Sequence, residues 1–221
     1  MIVIALSGKK DAGKDTGANH LAANYLAMYN PRIKPKVLRM ADPLKKFCAQ
    51  WFGLNYNKLN GSNEDKNSLT PFLWEHVPTN LSPRDEDVWK TGPMTYREVL
   101  QVWGTDILRT FDPDCHVRRW SQEAKLQADG GVPVLFTTDV RFPNEIQAVL
   151  DLDDQNENVH SRVLRLTRDP HQDSHESETA LDEFDWHSDK RLHLMDNSGT
   201  LAEFKRDLQR WFNHALGDYL D

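Results

Sequence analysis

The stretch IVIALSGKKDAGKDT, Ile2 to Thr16, decides how the rest of the chain is read. Ile2 to Leu6 is a short apolar run bounded by Ser-Gly, the pattern of a buried strand. Gly8, Gly13 and Lys14 then satisfy the Gly-x-x-x-x-Gly-Lys-[Ser/Thr] pattern of a phosphate-binding loop, except that Asp15 stands where the hydroxyl belongs and Thr16 brings it one residue late. Ala18, Leu21, Ala22, Tyr25 and Leu26 can share one face of a following helix. Strand, glycine loop and helix in that order let backbone N–H groups and a helix N-terminus meet an anion. The alternative is a polar strand-to-helix turn with lysines placed by chance; the flanking strand and helix favour the phosphate site.

Working outward, Val37 to Ala41 reads as a second strand and Asp42-Pro43 as a helix start, with Asp42 as N-cap. Leu44, Phe47, Cys48 and Trp51 share a face of that helix, and Gly53 is placed to end it. From Leu54 to Met94 the pattern dissolves into Asn, Pro, Ser and charge, interrupted by PFLWEHV, which predicts an insertion or mobile region over about 54–94. Thr95 and Glu98 form a capping box for a helix running towards Phe111, and a further helix carries Val117 and Trp120. VPVLFTTD predicts a third strand ending at Asp139, and NEIQAVL the start of a helix. RVLRLTR predicts a fourth strand, Asp169 to Lys190 a polar lid, and LHLMD a fifth strand. Thr200 and Glu203 repeat the capping box before Phe204, Leu208, Trp211 and Phe212. Strand and helix alternate, which predicts an α/β fold with a doubly wound, mainly parallel sheet in a single domain, 1–221.

Composition bounds the function. The chain has 221 residues, 38% hydrophobic and 28% charged, the profile of a globular protein. No apolar run approaches the roughly 20 residues that span a bilayer. MIVIAL lacks a basic n-region and reads as a strand, not a signal peptide. Cys48 and Cys115 form neither a metal spacing nor a disulfide framework, which suits the cytosol. A net charge of −7 argues against the broad basic face of a duplex-DNA binder. It leaves room for a small phosphorylated ligand, for which Lys9, Lys10 and Lys14 supply local positive charge.

With these pieces in view the chain resembles the deoxynucleoside monophosphate kinases of bacteriophages, within the P-loop nucleoside monophosphate kinase superfamily. The matching segments are SGKKDAGKDT, ADPLKKF, YREVLQVWGTDILR, TTDVRFPNE, SHESE and NSGTL, spread from Ser7 to Leu201. The resemblance implies transfer of the ATP γ-phosphate to a deoxynucleoside monophosphate, with Mg²⁺. It implies small-molecule partners, no stable nucleic acid and no membrane, with a homodimer left open, in the cytoplasm (the host cytoplasm if the chain is viral). Gly-Lys-Asp-Thr looks like the Gly-Lys-Gly-Thr register of related kinases, which makes Thr16 the hydroxyl near Mg²⁺. Gly8, Lys10, Ala12, Gly13, Lys14, Asp15 and Thr16 then hold ATP, with Asn197 beside its base.

Asp139 ends an apolar strand, where a carboxylate can hold Mg²⁺ through water, and it is also counted toward the substrate. Arg141, in DVRFP, and Arg168, at the end of strand four, join Lys14 at the transferring phosphate; Arg141 is a candidate for the acceptor phosphate as well. A surface salt bridge is the alternative for Arg141. For the acceptor the candidates are Asp42, Lys45, Arg97, Gln101, Thr105, Asp106 and Glu178. Arg97, Gln101 and Thr105 recur at helical spacing and can face one way, while Val99, Trp103 and Ile107 face the core; a solvated helix face is the rival. Arg109 falls in the same segment. His171, His175 and His187 can form a metal site on composition, although solvated histidines are commoner. Two other functions compete: a P-loop kinase of another acceptor such as phosphomevalonate, and a nucleotide-gated ATPase acting on DNA.

Overall fold

The computed structural model describes residues 1–26, 34–78, 84–85, 88–170, 175–216 and 219, without the side chains of 24, 25, 84, 85, 88 and 89. Tyr25 and His171, named above, therefore lie outside what is described for side chains and for residues respectively. The chain divides into two compact units, Met1–Met40 with Val117–Asp221, and Ala41–His116.

The first unit is built on a five-stranded sheet. Its strands are β1 (Ile2–Ser7), β2 (Lys36–Val37), β3 (Val134–Val140), β4 (His160–Leu166) and β5 (Leu192–Met195), in the order β2-β3-β1-β4-β5 and all parallel. Because side chains alternate along a strand, β1 feeds two cores. Val3 and Ala5, with Leu135 and Val163, pack with Trp120, Ile146 and Val149. Ile2, Ile4 and Leu6, with Phe136 and Leu164, pack with Leu21, Phe204, Leu208 and Phe212. The helices that supply these partners are α1 (Lys14–Asn19, continued by wider π-type turns over His20–Leu26), α4 (Cys115–Asp129), α5 (Pro143–Asp154) and α6 (Leu201–Leu216). A sheet buried on both faces needs near-continuous apolar strands, which is why β1 and β3 show so few polar positions. The capping box expected at Thr200 is present: Glu203 Oε2 accepts the Thr200 N–H at 2.8 Å, and Thr200 Oγ1 accepts the Glu203 N–H at 3.3 Å.

β2 is shorter than Val37 to Ala41. Leu38 still donates to Phe136 O at 2.8 Å, but the Met40 N–H goes to the Asp139 carboxylate at 2.9 Å and leaves the ladder. The polar stretch 169–190 is not loose throughout. From His175 onward it carries a short helix, Glu176–Thr179, and buries Leu181 and Trp186 in the first core.

The second unit contains α2 (Asp42–Phe52) and α3 (Tyr96–Gln101), with two short helices, Tyr56–Asn60 and Asn63–Asn67, between them. Two strand pairs, Leu69–Leu73 with Pro93–Thr95 and Arg84–Asp85 with Val88–Trp89, complete the stretch that the sequence left irregular. Its own core gathers Leu44, Cys48, Leu59, Trp74, Val99 and Val102. Burial pushes the Cys48 thiol up to about 12, so it behaves as a small apolar group. The N-cap of α2 is Ala41; Asp42 and Pro43 occupy its first turn, where a carboxylate is still favourable, and Gly53 ends it in the left-handed conformation at φ 65°. Trp51 does not join the buried face: it is 75% exposed, at the end of the helix, with its ring 5.9 Å from that of Phe47.

Candidate functional site

The loop between β1 and α1 has the backbone that an anion cradle requires. Gly8, Asp11 and Gly13 have φ of 143°, 59° and 102°, in the region that side chains disfavour. A Cβ on Gly8 would stand 2.8 Å from Leu166 O, so the loop also packs directly on the end of β4. Lys14 opens α1 and is buried, 9% exposed. Its ammonium donates to Gly8 O at 2.5 Å and Lys9 O at 2.7 Å, folding the side chain over its own loop. Burial lowers the Lys14 pKa to about 8, and Arg141 pushes in the same direction; the carboxylates of Glu178, Asp15 and Asp139 oppose it.

One arginine meets this loop directly and a second is linked to it through a carboxylate. Arg168, just past β4, donates from Nη2 to Asp11 O at 2.5 Å. Asn197, past β5 and 4% exposed, accepts the Arg168 N–H at 3.1 Å and donates to Ala12 O at 2.5 Å. Asn197 thus spends its amide on tying the edge of the sheet to the loop. Arg141, just past β3, donates to Ser177 O at 3.2 Å and pairs with the Glu178 carboxylate. Glu178 is buried, and its other oxygen accepts the Lys10 N–H at 2.8 Å. Both carboxylate oxygens of Glu178 are therefore held by protein groups, and the Lys10 N–H is committed to it. Lys9 reaches Asp169 at 2.9 Å and Asp182 at 3.2 Å, and the Asp169 hydrogen bond raises its pKa.

Asp15 accepts from Thr138 Oγ1 at 2.9 Å and lies 3.1 Å from Arg39 Nη2. The residue that breaks the loop pattern thus joins α1 to the ends of β2 and β3. Thr16 is exposed in the first turn of α1. Asp139 is partly buried at the end of β3, with one oxygen holding Met40 N–H. Thr16 and Asp139 are hard oxygen donors, few in number, which fits Mg²⁺ carried largely by phosphates better than a cation caged by protein. Among the described residues no group of three or more His, Cys, Asp or Glu is arranged to hold a metal ion. His175 Nδ1 instead faces Ser177 Oγ at 2.9 Å, and His187 is exposed.

The remaining candidates belong to the second unit. Lys45 is buried, with its ammonium 3.5 Å from Asp42 Oδ1. Arg97 donates to Asn63 Oδ1 at 2.7 Å and Asn67 Oδ1 at 3.1 Å, partners that the sequence reading did not foresee. Gln101 is half-buried, Thr105 buried and Asp106 half-buried. Arg97 and Gln101 lie on α3, and Thr105 lies in the π-type turns over Val102–Arg109 that continue it. His116 Nε2 lies 3.2 Å from Gly104 O within those turns. Arg109 Nη1 donates to Pro113 O at 3.2 Å. Arg39, Thr138 and Glu145 were missed in sequence. Only Glu145 carried a signal, as an acid opening a helix after Phe-Pro.

A five-stranded parallel α/β sheet flanked by helices, with a glycine loop after its central strand, is consistent with a P-loop NTPase kinase fold. The chain is similar to a putative deoxynucleotide monophosphate kinase of Acanthamoeba polyphaga mimivirus, 29% identical over 163 residues that make up 69% of this chain and 70% of that protein. No family model matches the chain. The likeness supports a phosphotransferase of the nucleotide-kinase kind. No helix among the described residues is long and apolar enough to cross a membrane.

Proposed function

We propose that the protein transfers the γ-phosphoryl group of ATP to a deoxynucleoside monophosphate, giving the diphosphate and ADP. The observation that carries this reading is the convergence of Lys14, Arg141 and Arg168 on a loop whose φ angles suit an anion cradle. The name of the viral relative, a putative deoxynucleotide monophosphate kinase, supports this choice of acceptor class. Phosphoryl transfer asks for alignment and charge neutralisation more than covalent chemistry. In this reading Gly8 to Thr16 receive the donor phosphates, Lys14 leaves its loop carbonyls for them, and the guanidinium groups of Arg141 and Arg168 offset charge on the transferring group. Mg²⁺, held by Thr16 and by Asp139 through water, would neutralise phosphate charge when bound.

Asp42, Lys45, Arg97, Gln101, Thr105 and Asp106 are assigned to the acceptor. Arg97 is the group that binds its phosphate, exchanging the neutral amides of Asn63 and Asn67 for a dianion, a stronger charge-assisted pairing. The chain works as one kinase domain with 54–94 as an insertion; the lid expected over 169–190 is not assigned, because from His175 onward that segment packs into the first core. ADP release from ATP and Mg²⁺, screened over each deoxynucleoside monophosphate, phosphomevalonate and duplex DNA, tests this. Turnover with at least one deoxynucleoside monophosphate and with neither control is the expected result. Stimulation by phosphomevalonate or DNA alone would replace the assignment.

A further inference from the structure

Among the described residues two carboxylate side chains are buried, Glu145 and Glu178, and both converge on Arg141. Glu145 Oε2 accepts the Arg141 backbone N–H at 2.7 Å and that of Phe142 at 3.2 Å. The Glu178 side chain is 3% exposed; it accepts the Arg141 guanidinium on one oxygen and the Lys10 N–H on the other. Removing a carboxylate from water is costly unless it is paired and hydrogen-bonded. An ion pair that served only to dock the Glu176–Thr179 helix could sit at the surface at far lower cost. Here one carboxylate spans a loop N–H and an arginine head group, so the position of Arg141 is fixed relative to the phosphate loop before any ligand arrives.

We propose that Glu178 is a positioning residue that sets Arg141 at a fixed place beside the phosphate loop, without itself touching either substrate. This rests on the phosphotransfer reading above and deepens it. The carboxylate holds the guanidinium through one edge, leaving other N–H donors of Arg141 for the transferring phosphoryl group. Coupling to Lys10 N–H makes a shift of the loop a shift of the arginine.

Glu178→Gln keeps the shape and the acceptor for Lys10 N–H but removes the charge that orients Arg141. It should lower kcat on the order of 10- to 100-fold, as misplacement of an aligned group does, with a much smaller change in the KM for ATP. In an Arg141→Lys background the same substitution should cost nothing further, because its effect passes through the guanidinium. Glu178→Asp, charged but shorter, should fall between. A full additional loss in the Arg141→Lys background, or a lowered Tm with kcat unchanged, would overturn the proposal. Arginine side-chain ¹⁵N NMR gives a readout independent of turnover. Slow guanidinium rotation at Arg141 is expected in the wild type and fast rotation in Glu178→Gln; fast rotation in the wild type would overturn the proposal. Absence of turnover on every deoxynucleoside monophosphate would count against the function instead, and the NMR result would still decide the positioning role.

Discussion

Asp15 occupies the place of the usual loop hydroxyl, and its carboxylate is engaged by Thr138 and Arg39. In the proposed reading the hydroxyl near Mg²⁺ comes from Thr16. Thr16→Val should move the Mg²⁺ activation curve of ADP release to higher concentration, whereas Asp15→Asn should leave its midpoint in place; the reverse result would make Asp15 the metal ligand. Because the Asp15–Arg39 pair is largely exposed, Asp15→Asn should change unfolding stability in urea by less than about 1 kcal/mol. Lys14 carries a different signature. Its pKa in the unliganded protein lies at about 8, below the ordinary value of 10.5, chiefly through burial. The unfolded chain therefore binds the proton more tightly, so this group's contribution to stability rises with pH from about 8 towards 10.5. Donor phosphates favour the charged form, so ATP binding should take up protons near pH 8.5 and weaken as pH rises through the unliganded pKa. Calorimetry of ATP binding in two buffers of different ionisation enthalpy reads this directly. No proton uptake would mean that Lys14 stays clear of the phosphates.

Elements show where sequence reading succeeds and where it stops. β1, its loop and the two capping boxes were legible because their signals are local: an apolar run, glycines, and Thr-x-x-Glu spacing. Thr200→Ala should cost about 1 kcal/mol, measured by urea unfolding, as the loss of an N-cap does. Gly8→Ala should cost about 1–3 kcal/mol on the same measurement, from a disfavoured φ together with a close approach to Leu166 O; a neutral result would mean that the loop relaxes freely. The helix after Thr95 was legible as far as Phe111, but its change of turn after Gln101 was not. Periodicity assumes constant turns, and no local pattern announces the wider turns over Val102–Arg109, within which Thr105 is buried. β2 was overestimated because Asp139 takes the Met40 N–H, a contact 99 residues away that no local pattern contains. The same applies to Glu178, whose partners Lys10 and Arg141 lie far off in the chain.

At the scale of the molecule, alternation of strands and helices was enough to predict a parallel doubly wound sheet, but the order β2-β3-β1-β4-β5 depends on pairings between distant segments. That order puts the ends of β1, β3 and β4 side by side and so gathers the loop, Arg141 and Arg168 in the first unit, although Arg168 and Asp11 are 157 residues apart. The residues assigned to the acceptor lie in the second unit, on the helices that begin at Asp42 and after Thr95, and they were chosen from helical spacing and the family resemblance. Transfer itself is therefore the measurement that matters most: incubation of the protein with γ-³²P-labelled ATP, Mg²⁺ and each deoxynucleoside monophosphate, followed by separation of the nucleotides. Label should appear in at least one deoxynucleoside diphosphate, and a folded Lys14→Ala variant should form it at least about 100-fold more slowly, the loss expected when a group that neutralises the transferring phosphate is removed. Label confined to ATP and inorganic phosphate with every acceptor, or undiminished transfer by Lys14→Ala, would contradict the account.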